Sequence, residues 1–137
     1  IICDGRDPEP LLRLENGARC SCFMATETPN AARKQWIAGA LTPRGTIGVD
    51  AGAATALRIG KSLLPAGVLA VDGQFDRGDL VAVEDQTGRI IGHGLSSYSA
   101  TDAAKIKGHK SREIETMLGY RGRDEMIHAD NLVVIDN

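Results

Sequence analysis

Short apolar runs separated by turn residues dominate the middle of the chain. The runs "GTIGVD", "SLLPAGVLAVDG", "DLVAVEDQ" and "RIIGHGLSS" are rich in Val, Ile and Leu, and Gly- and Asp-bearing turns separate them. Runs at roughly ten-residue spacing are typical of a small antiparallel barrel or sandwich. A further run, "MIHADNLVVID", predicts a last strand. The pattern therefore predicts a mainly β fold with short helices.

Helices are predicted between and after these strands. Asp50 is a suitable N-cap for a helix over Ala51–Ile59, and Gly60 is a suitable stop. Further short helices are predicted over Ala100–Lys107 and Ser111–Leu118.

The segment "LLPAGVLAVDGQFDRGDLVAV" is predicted to be a pair of strands joined by an irregular turn. Gly73, Gly78 and Asp79 are expected to serve the backbone shape of that turn. In the second strand, Val81 and Val83 are expected to face the core and Ala82 to face outward.

The first part of the chain has a different character. Residues 1–24 contain a short apolar strand end and a brief helix over Pro10–Glu15, but too few apolar residues for a core of their own. Residues 25–35 are polar and indicate a linker or a frayed helix. Six apolar residues of the first segment would be exposed unless a partner covered them: Ile1, Ile2, Leu11, Leu12, Leu14 and Phe23.

Composition excludes several classes of protein. The 137 residues are 42% hydrophobic and 25% charged, as in a globular protein, and the net charge of −2 gives no general attraction to nucleic acid or anionic membrane. No apolar stretch approaches the ~18 residues that span a bilayer. The three cysteines, Cys3, Cys20 and Cys22, lack metal-ligand spacing and are expected to be free thiols in a reducing cytoplasm. The chain begins at Ile1 without Met, so we expect a piece of something longer.

The triplet Gly60-Lys61-Ser62 resembles the end of a phosphate-binding P-loop. That loop needs a glycine five residues before Gly60, where this chain has Thr55. The P-loop also precedes a helix, whereas here a helix is predicted to precede the triplet. We therefore predict no phosphate site at the triplet.

The strand region resembles the PUA domain. That family's pattern runs Pro, Gly-Val, an aromatic residue, Arg/Lys-Gly-Asp, Val-x-Val and Gly-x-x-Ile-x-x-Gly. The matching residues are Pro65, Gly67, Val68, Phe75, Arg77, Gly78, Asp79, Val81, Val83, Gly88, Ile91 and Gly94. The resemblance implies a PUA-like pseudo-barrel with helices at its rim.

Longer segments are similar to the C-terminal part of the bacterial glutamate 5-kinase family: "ARKQWIAGAL", "GKSLLPAGV", "HGLSSYSATDAAKIKGHKSREIETMLGY" and "HADNLVV". "GRDPEPLLRLENG" is similar to the end of that family's α/β amino-acid-kinase domain, although Cys20-Ser21-Cys22-Phe23 replaces the usual Gly-Thr-x-Phe. The resemblance implies a kinase-domain tail at 1–25, a linker at 26–39, and a PUA domain with a C-terminal extension at 40–137.

This resemblance also implies an activity for the parent enzyme, which transfers the γ-phosphate of ATP to L-glutamate, with Mg²⁺, in the first step of proline biosynthesis. The ATP and glutamate sites lie in the missing kinase domain, so we carry over no catalytic, cofactor or metal residue, and the fragment alone is expected to be inactive. His93, His109 and Asp102 are expected to be structural or surface residues. The expected partners are the kinase domain of the same chain and further copies of the parent enzyme, not a membrane, in the cytoplasm.

The role of the domain itself has two candidates. One is a regulatory or interaction module that contacts the kinase domain or a neighbouring subunit. The other is RNA binding, which the PUA resemblance places at Arg58, Lys61 and Ser62. A separate basic group could also contact phosphates, although a solvated face is the simpler interpretation: Lys105, Lys107, Lys110, Arg112, Arg121 and Arg123.

Overall fold

A five-stranded mixed sheet forms the body of the protein. The computed structural model describes residues 1–6, 8–24, 26–39 and 42–135. Within these ranges the strand order is β2-β1-β3-β4-β5. The strands are β1 (Gly45–Val49), β2 (Val68–Gly73), β3 (Leu80–Glu84), β4 (Ile90–Leu95) and β5 (Leu132–Val134). The mainly β class with short helices is confirmed.

One strand pairing differs from the expected antiparallel arrangement. β1 and β3 are parallel, with Gly45 opposite Val81 and Ile47 opposite Val83. β1 therefore lies between β2 and β3, and these two strands are not the neighbouring pair that the sequence predicted. The physical reason is that β2 pairs with one edge of β1. The loop after β2 must therefore cross to the other edge of β1, where β3 pairs with it.

The described residues contain five short helices: α1 (Pro10–Glu15), α2 (Pro29–Gly39), α3 (Ala51–Arg58), α4 (Ala100–Ile106) and α5 (Ile114–Leu118). The start and stop predicted for α3 are confirmed. The Asp50 carboxylate accepts a hydrogen bond from the Ala53 N–H at 2.7 Å, and Gly60 ends the helix with a φ of +78°.

The polar stretch after residue 25 contains a helix that packs on the domain. Thr28 caps α2, since its hydroxyl accepts a hydrogen bond from the Ala31 N–H at 3.2 Å, and Pro29 occupies the first helical position. The helix lies against β4, β5 and the 3₁₀ turn Ala129–Asn131, and its Ile37 is 0% exposed. Part of the segment expected to be a linker is therefore attached to the sheet.

At β3 both faces of the sheet are covered. Val81 and Val83 are fully buried in the main core, as predicted. Ala82 projects to the opposite face by the alternation of a strand, but it is only 3% exposed, so the expected outward position is not open to water. The reason is that this second face carries its own covering layer, to which α2 contributes Ile37.

The loop before β3 depends on a left-handed glycine. Gly78 has a φ of +91°, and its N–H donates to the Ser96 carbonyl at 2.8 Å. The Asp79 carboxylate closes the same turn by accepting the Asp76 N–H at 2.8 Å. The conformation predicted for Gly78 is confirmed.

Replacing Gly78 with valine tests how much the conformation of this turn contributes to the free energy of unfolding. A β-branched residue is strained at positive φ, and no neighbouring atom lies within 4 Å of an added Cβ, so the penalty comes from the backbone alone. We expect the free energy of unfolding to fall by about 1–3 kcal/mol. Gly39→Val is the control, because Gly39 also has open space but lacks a positive φ. Equal melting curves for the Gly78 variant and the parent chain would contradict the assignment.

The first 24 residues pack loosely. Ile2 and Ser21 form an isolated antiparallel bridge with N–H to O distances of 2.8 and 2.9 Å, and α1 has no buried residue. Of the six apolar side chains that the sequence analysis expected to be exposed in this segment, five are exposed, with Leu11 and Phe23 both at 73%. The sixth, Leu14, is half-buried. The segment therefore presents apolar surface to solvent in this chain.

Candidate functional site

The three residues proposed for RNA binding border two different depressions beside α3. Lys61 and Ser62 border a groove of about 610 Å³, here called the α3 groove. Arg58 borders a separate depression of about 220 Å³, together with the turn Asp85–Thr87. The fold therefore brings Lys61 and Ser62 together but separates them from Arg58.

Small residues and two carboxylates line the α3 groove. Gly52, Ala53 and Ala56 come from α3, and the charged lining residues are Asp50, Glu125 and Lys61. The Ser62 hydroxyl oxygen accepts a hydrogen bond from the Ala129 N–H at 2.9 Å, so it is engaged inside the protein. This charge balance does not resemble the cation cluster that phosphate contacts require, and RNA binding through these residues stays a prediction.

Backbone amides of the Gly-Lys-Ser triplet are already used in hydrogen bonds within the protein. The Gly60 N–H donates to the Leu57 carbonyl at 2.9 Å, and the Lys61 N–H donates to the Ala56 carbonyl at 3.0 Å. A P-loop would need such amides free to point at a phosphate. The triplet therefore terminates a helix and does not open one.

His93, His109 and Asp102 have separate surroundings. His109 Nδ1 lies 3.3 Å from the Glu113 carboxylate, and Asp102 accepts the Tyr120 hydroxyl at 2.8 Å. His93 lies on β4 opposite Ala82. In the part of the chain that the structure describes, no group of three His, Cys, Asp or Glu side chains is arranged to hold a metal, and the three cysteines are free.

A second pocket collects positive charge that the sequence pattern shows only in part. Arg77, Arg121 and Arg123 line a cavity of about 470 Å³, here called the arginine pocket. Its remaining lining residues are Asp76, Ser97, Tyr98, Ser99, Asp102, Tyr120 and Gly122. The sequence grouped Arg121 and Arg123 with four other cations, but Arg77 was missed as a member because it lies far away along the chain.

The other members of that basic group lie elsewhere. Lys105 Nζ is 3.4 Å from the Asp102 carboxylate, one turn away on α4. Arg112 borders a shallow depression beside His109 and Glu113. The fold thus separates the six basic residues of the sequence group. Of these, only Arg121 and Arg123 line the arginine pocket, and Arg77 lines it with them.

Comparison with known proteins identifies the family. The PUA domain family model matches residues 45–118, more than half of the chain. The chain therefore belongs to the PUA domain family. A solved PUA domain from Aeropyrum pernix K1, a tartrate complex, is 26% identical with a TM-score of 0.47, over 62% of this chain and 41% of that one.

Curated relatives extend the similarity beyond the PUA domain. The glutamate 5-kinase of Paramagnetospirillum magneticum is 53% identical over 133 residues, which are 97% of this chain and 36% of the relative. That of Rhizobium johnstonii is 56% identical over 134 residues, 98% of this chain and 34% of the relative. The chain spans about a third of the length of these relatives, and the match falls in their C-terminal region.

The structure also bears on membrane attachment. None of the helices in the described ranges combines the length and the apolar character needed to cross a bilayer.

Proposed function

We propose that this chain is the PUA-containing C-terminal region of an enzyme that phosphorylates L-glutamate with ATP to give L-glutamyl 5-phosphate. The observation that carries this proposal is the 53% identity over 97% of the chain to proteins named glutamate 5-kinase. In this proposal ATP and Mg²⁺ are bound by a kinase domain elsewhere in the same polypeptide, and this region is an interaction module. The free cysteines support a reducing cytoplasm as its compartment.

The proposed contact with the kinase domain is made by residues 1–24. Leu11, Leu12 and Phe23 are 73%, 51% and 73% exposed, and Met24 is 82% exposed. Covering a large aliphatic or aromatic side chain contributes about 1.5–3 kcal/mol. A segment with this many uncovered apolar side chains fits one that completes the core of the kinase domain.

The activity is tested by comparing the 137-residue chain with the full-length protein. Phosphoryl transfer needs positioned phosphate- and metal-binding groups, so the chain alone is expected to show no glutamate-dependent consumption of ATP. The full-length protein is expected to show it. Activity in the short chain would place the active site here, and a full-length protein without this activity would refute the proposed function.

The docking role is tested by Leu11→Ser and Phe23→Ser in both forms. In the short chain these exposed positions are expected to change the free energy of unfolding by no more than about 0.5 kcal/mol. In the full-length protein each is expected to cost about 1.5–3 kcal/mol and to reduce activity. Leu69→Ser is the matched control, because Leu69 is 52% exposed on β2. A full-length protein that tolerates the first two variants as well as the control would contradict the docking role.

A further inference from the structure

Three cationic side chains without a protein partner line the arginine pocket. Throughout the described residues, no hydrogen bond or ion pair joins the guanidinium groups of Arg77, Arg121 and Arg123 to another residue. Arginines that serve only to stabilise a fold commonly pair with carboxylates, and like charges gathered around one cavity repel one another. All three side chains are exposed and hydrated, and they leave a positively charged cavity open to an anion from solvent.

The pocket is held in place by hydrogen bonds to the segment that carries two of these arginines. The Tyr98 side chain is buried, and its hydroxyl donates to the Arg123 carbonyl. The Tyr120 hydroxyl donates to Asp102 at 2.8 Å, and the Ser111 hydroxyl donates to the Asp124 carbonyl at 2.7 Å. These anchors fix the backbone of residues 120–124 beside Arg77.

Gly122 allows this close approach. A Cβ at this position would collide with the Tyr98 hydroxyl and would lie 2.8 Å from its Cε1 atom. No residue with a side chain can therefore sit between Arg121 and Arg123 unless the segment moves away from Tyr98.

Two carboxylates, Asp76 and Asp102, line the pocket together with the three arginines. Asp102 already accepts the Tyr120 hydroxyl and lies 3.4 Å from the Lys105 ammonium group. That leaves Asp76 as the other carboxylate against three guanidinium groups. Burial raises the pKa of the Tyr98 hydroxyl, the nearby charges of Asp124 and Glu125 act in the same direction, and the positive charge of Arg77 acts in the opposite one. Burial and the hydrogen bond to Asp102 also raise the pKa of the Tyr120 hydroxyl, so both tyrosines remain neutral hydrogen-bonding groups near pH 7.

We propose that the arginine pocket binds a phosphate group. A guanidinium group presents N–H donors in a planar fork that matches phosphate oxygens, and three such groups suit the several oxygens and the double negative charge of a phosphate. The Ser99 oxygen is used to cap α4, accepting the Asp102 N–H at 3.2 Å, which leaves its own O–H available to donate. The phosphate belongs either to a small phosphorylated molecule or to the backbone of an RNA strand. This proposal does not depend on the kinase activity of the parent enzyme.

Calorimetric titration of the 137-residue chain with inorganic pyrophosphate tests this site. We expect saturable binding at low ionic strength that weakens as salt is added. Arg77→Gln and Arg121→Gln are each expected to weaken binding about tenfold or more. Arg112→Gln and Lys107→Gln remove the same charge outside the pocket and are expected to change binding less than about twofold. No binding at low salt, or equal losses in all four variants, would overturn the proposal.

Three further measurements test the shape of the pocket, its preference for phosphate over carboxylate, and the source of the phosphate. Gly122→Ala keeps every charge, so a folded variant with weakened pyrophosphate binding supports a shaped pocket, and unchanged binding contradicts it. Succinate is expected to bind more weakly than pyrophosphate, and the reverse order would overturn the choice of phosphate. A short single-stranded RNA that displaces pyrophosphate from the parent chain, and whose own binding is weakened by Arg77→Gln but not by Arg112→Gln, assigns the phosphate to RNA. Pyrophosphate binding without competition assigns it to a small molecule.

Discussion

Replacing Ile37 with alanine is expected to lower the free energy of unfolding by about 2–5 kcal/mol. Ile37 is 0% exposed, and α2 holds it against the face of the sheet formed by β4 and β5. Truncation removes its buried methyl groups and leaves a cavity that a helix on a sheet cannot fully close. Urea unfolding followed by circular dichroism measures the change through the shift in midpoint.

The control for this variant comes from the same helix. Trp36 is 61% exposed, so Trp36→Ala is expected to change the free energy of unfolding by less than about 0.5 kcal/mol. If the two variants behave alike, α2 is not packed on the domain. A large effect confined to Ile37 means that the folded unit begins before β1, inside the segment that the sequence predicted to be a linker.

Local features of the fold could be predicted because their physical causes are local. The Asp50 cap, the Gly60 stop and the positive φ of Gly78 each depend on one residue and its near neighbours. The direction of the β1–β3 pairing could not be predicted, because it depends on how the chain crosses the sheet and not on either strand's composition. The burial of Ala82 was missed for a similar reason, since the residues that cover its face come from elsewhere in the chain.

The arginine pocket shows the same limit for a candidate site. Arg121 and Arg123 are close together in the sequence and stood out as part of a basic group. Arg77 joins them only after folding, and Lys105, which belongs to the same basic group, pairs with Asp102 instead. Gly122 gave no signal at all, because its importance is the space that Tyr98 occupies. The members of this site could therefore not be predicted from sequence, because residues distant along the chain become neighbours only after folding.

The folded unit also extends past the C-terminal limit of the family match at residue 118. Met126 and Ile127 are both 0% exposed and belong to the main core. They are joined to Leu63 by backbone hydrogen bonds, with the Leu63 N–H donating to the Ile127 carbonyl at 2.9 Å. The segment after α5 therefore returns to the centre of the domain and supplies both β5 and part of the core.

Ile127→Ala is accordingly expected to lower the free energy of unfolding by about 2–5 kcal/mol. Ile135→Ala is the matched control, because Ile135 is 39% exposed just after β5 and its truncation is expected to cost less than about 1 kcal/mol. Similar effects of the two variants would mean that the C-terminal segment is not part of the core.

A double-mutant cycle with Gly94 tests the packing at this position more stringently. A Cβ on Gly94 would lie 2.7 Å from Ile127 Cγ2, and next nearest to it are the Asn131 carbonyl oxygen at 3.0 Å and the Leu132 Cδ1 atom at 3.1 Å. Gly94→Ala alone is therefore expected to cost about 1–3 kcal/mol through overpacking. When Ile127 is also alanine, the clashing Cγ2 is gone and the new methyl group partly fills the cavity, so the two costs are expected to fall short of their sum by about 0.5–3 kcal/mol. Strict additivity would show that an alanine side chain at position 94 does not contact Ile127.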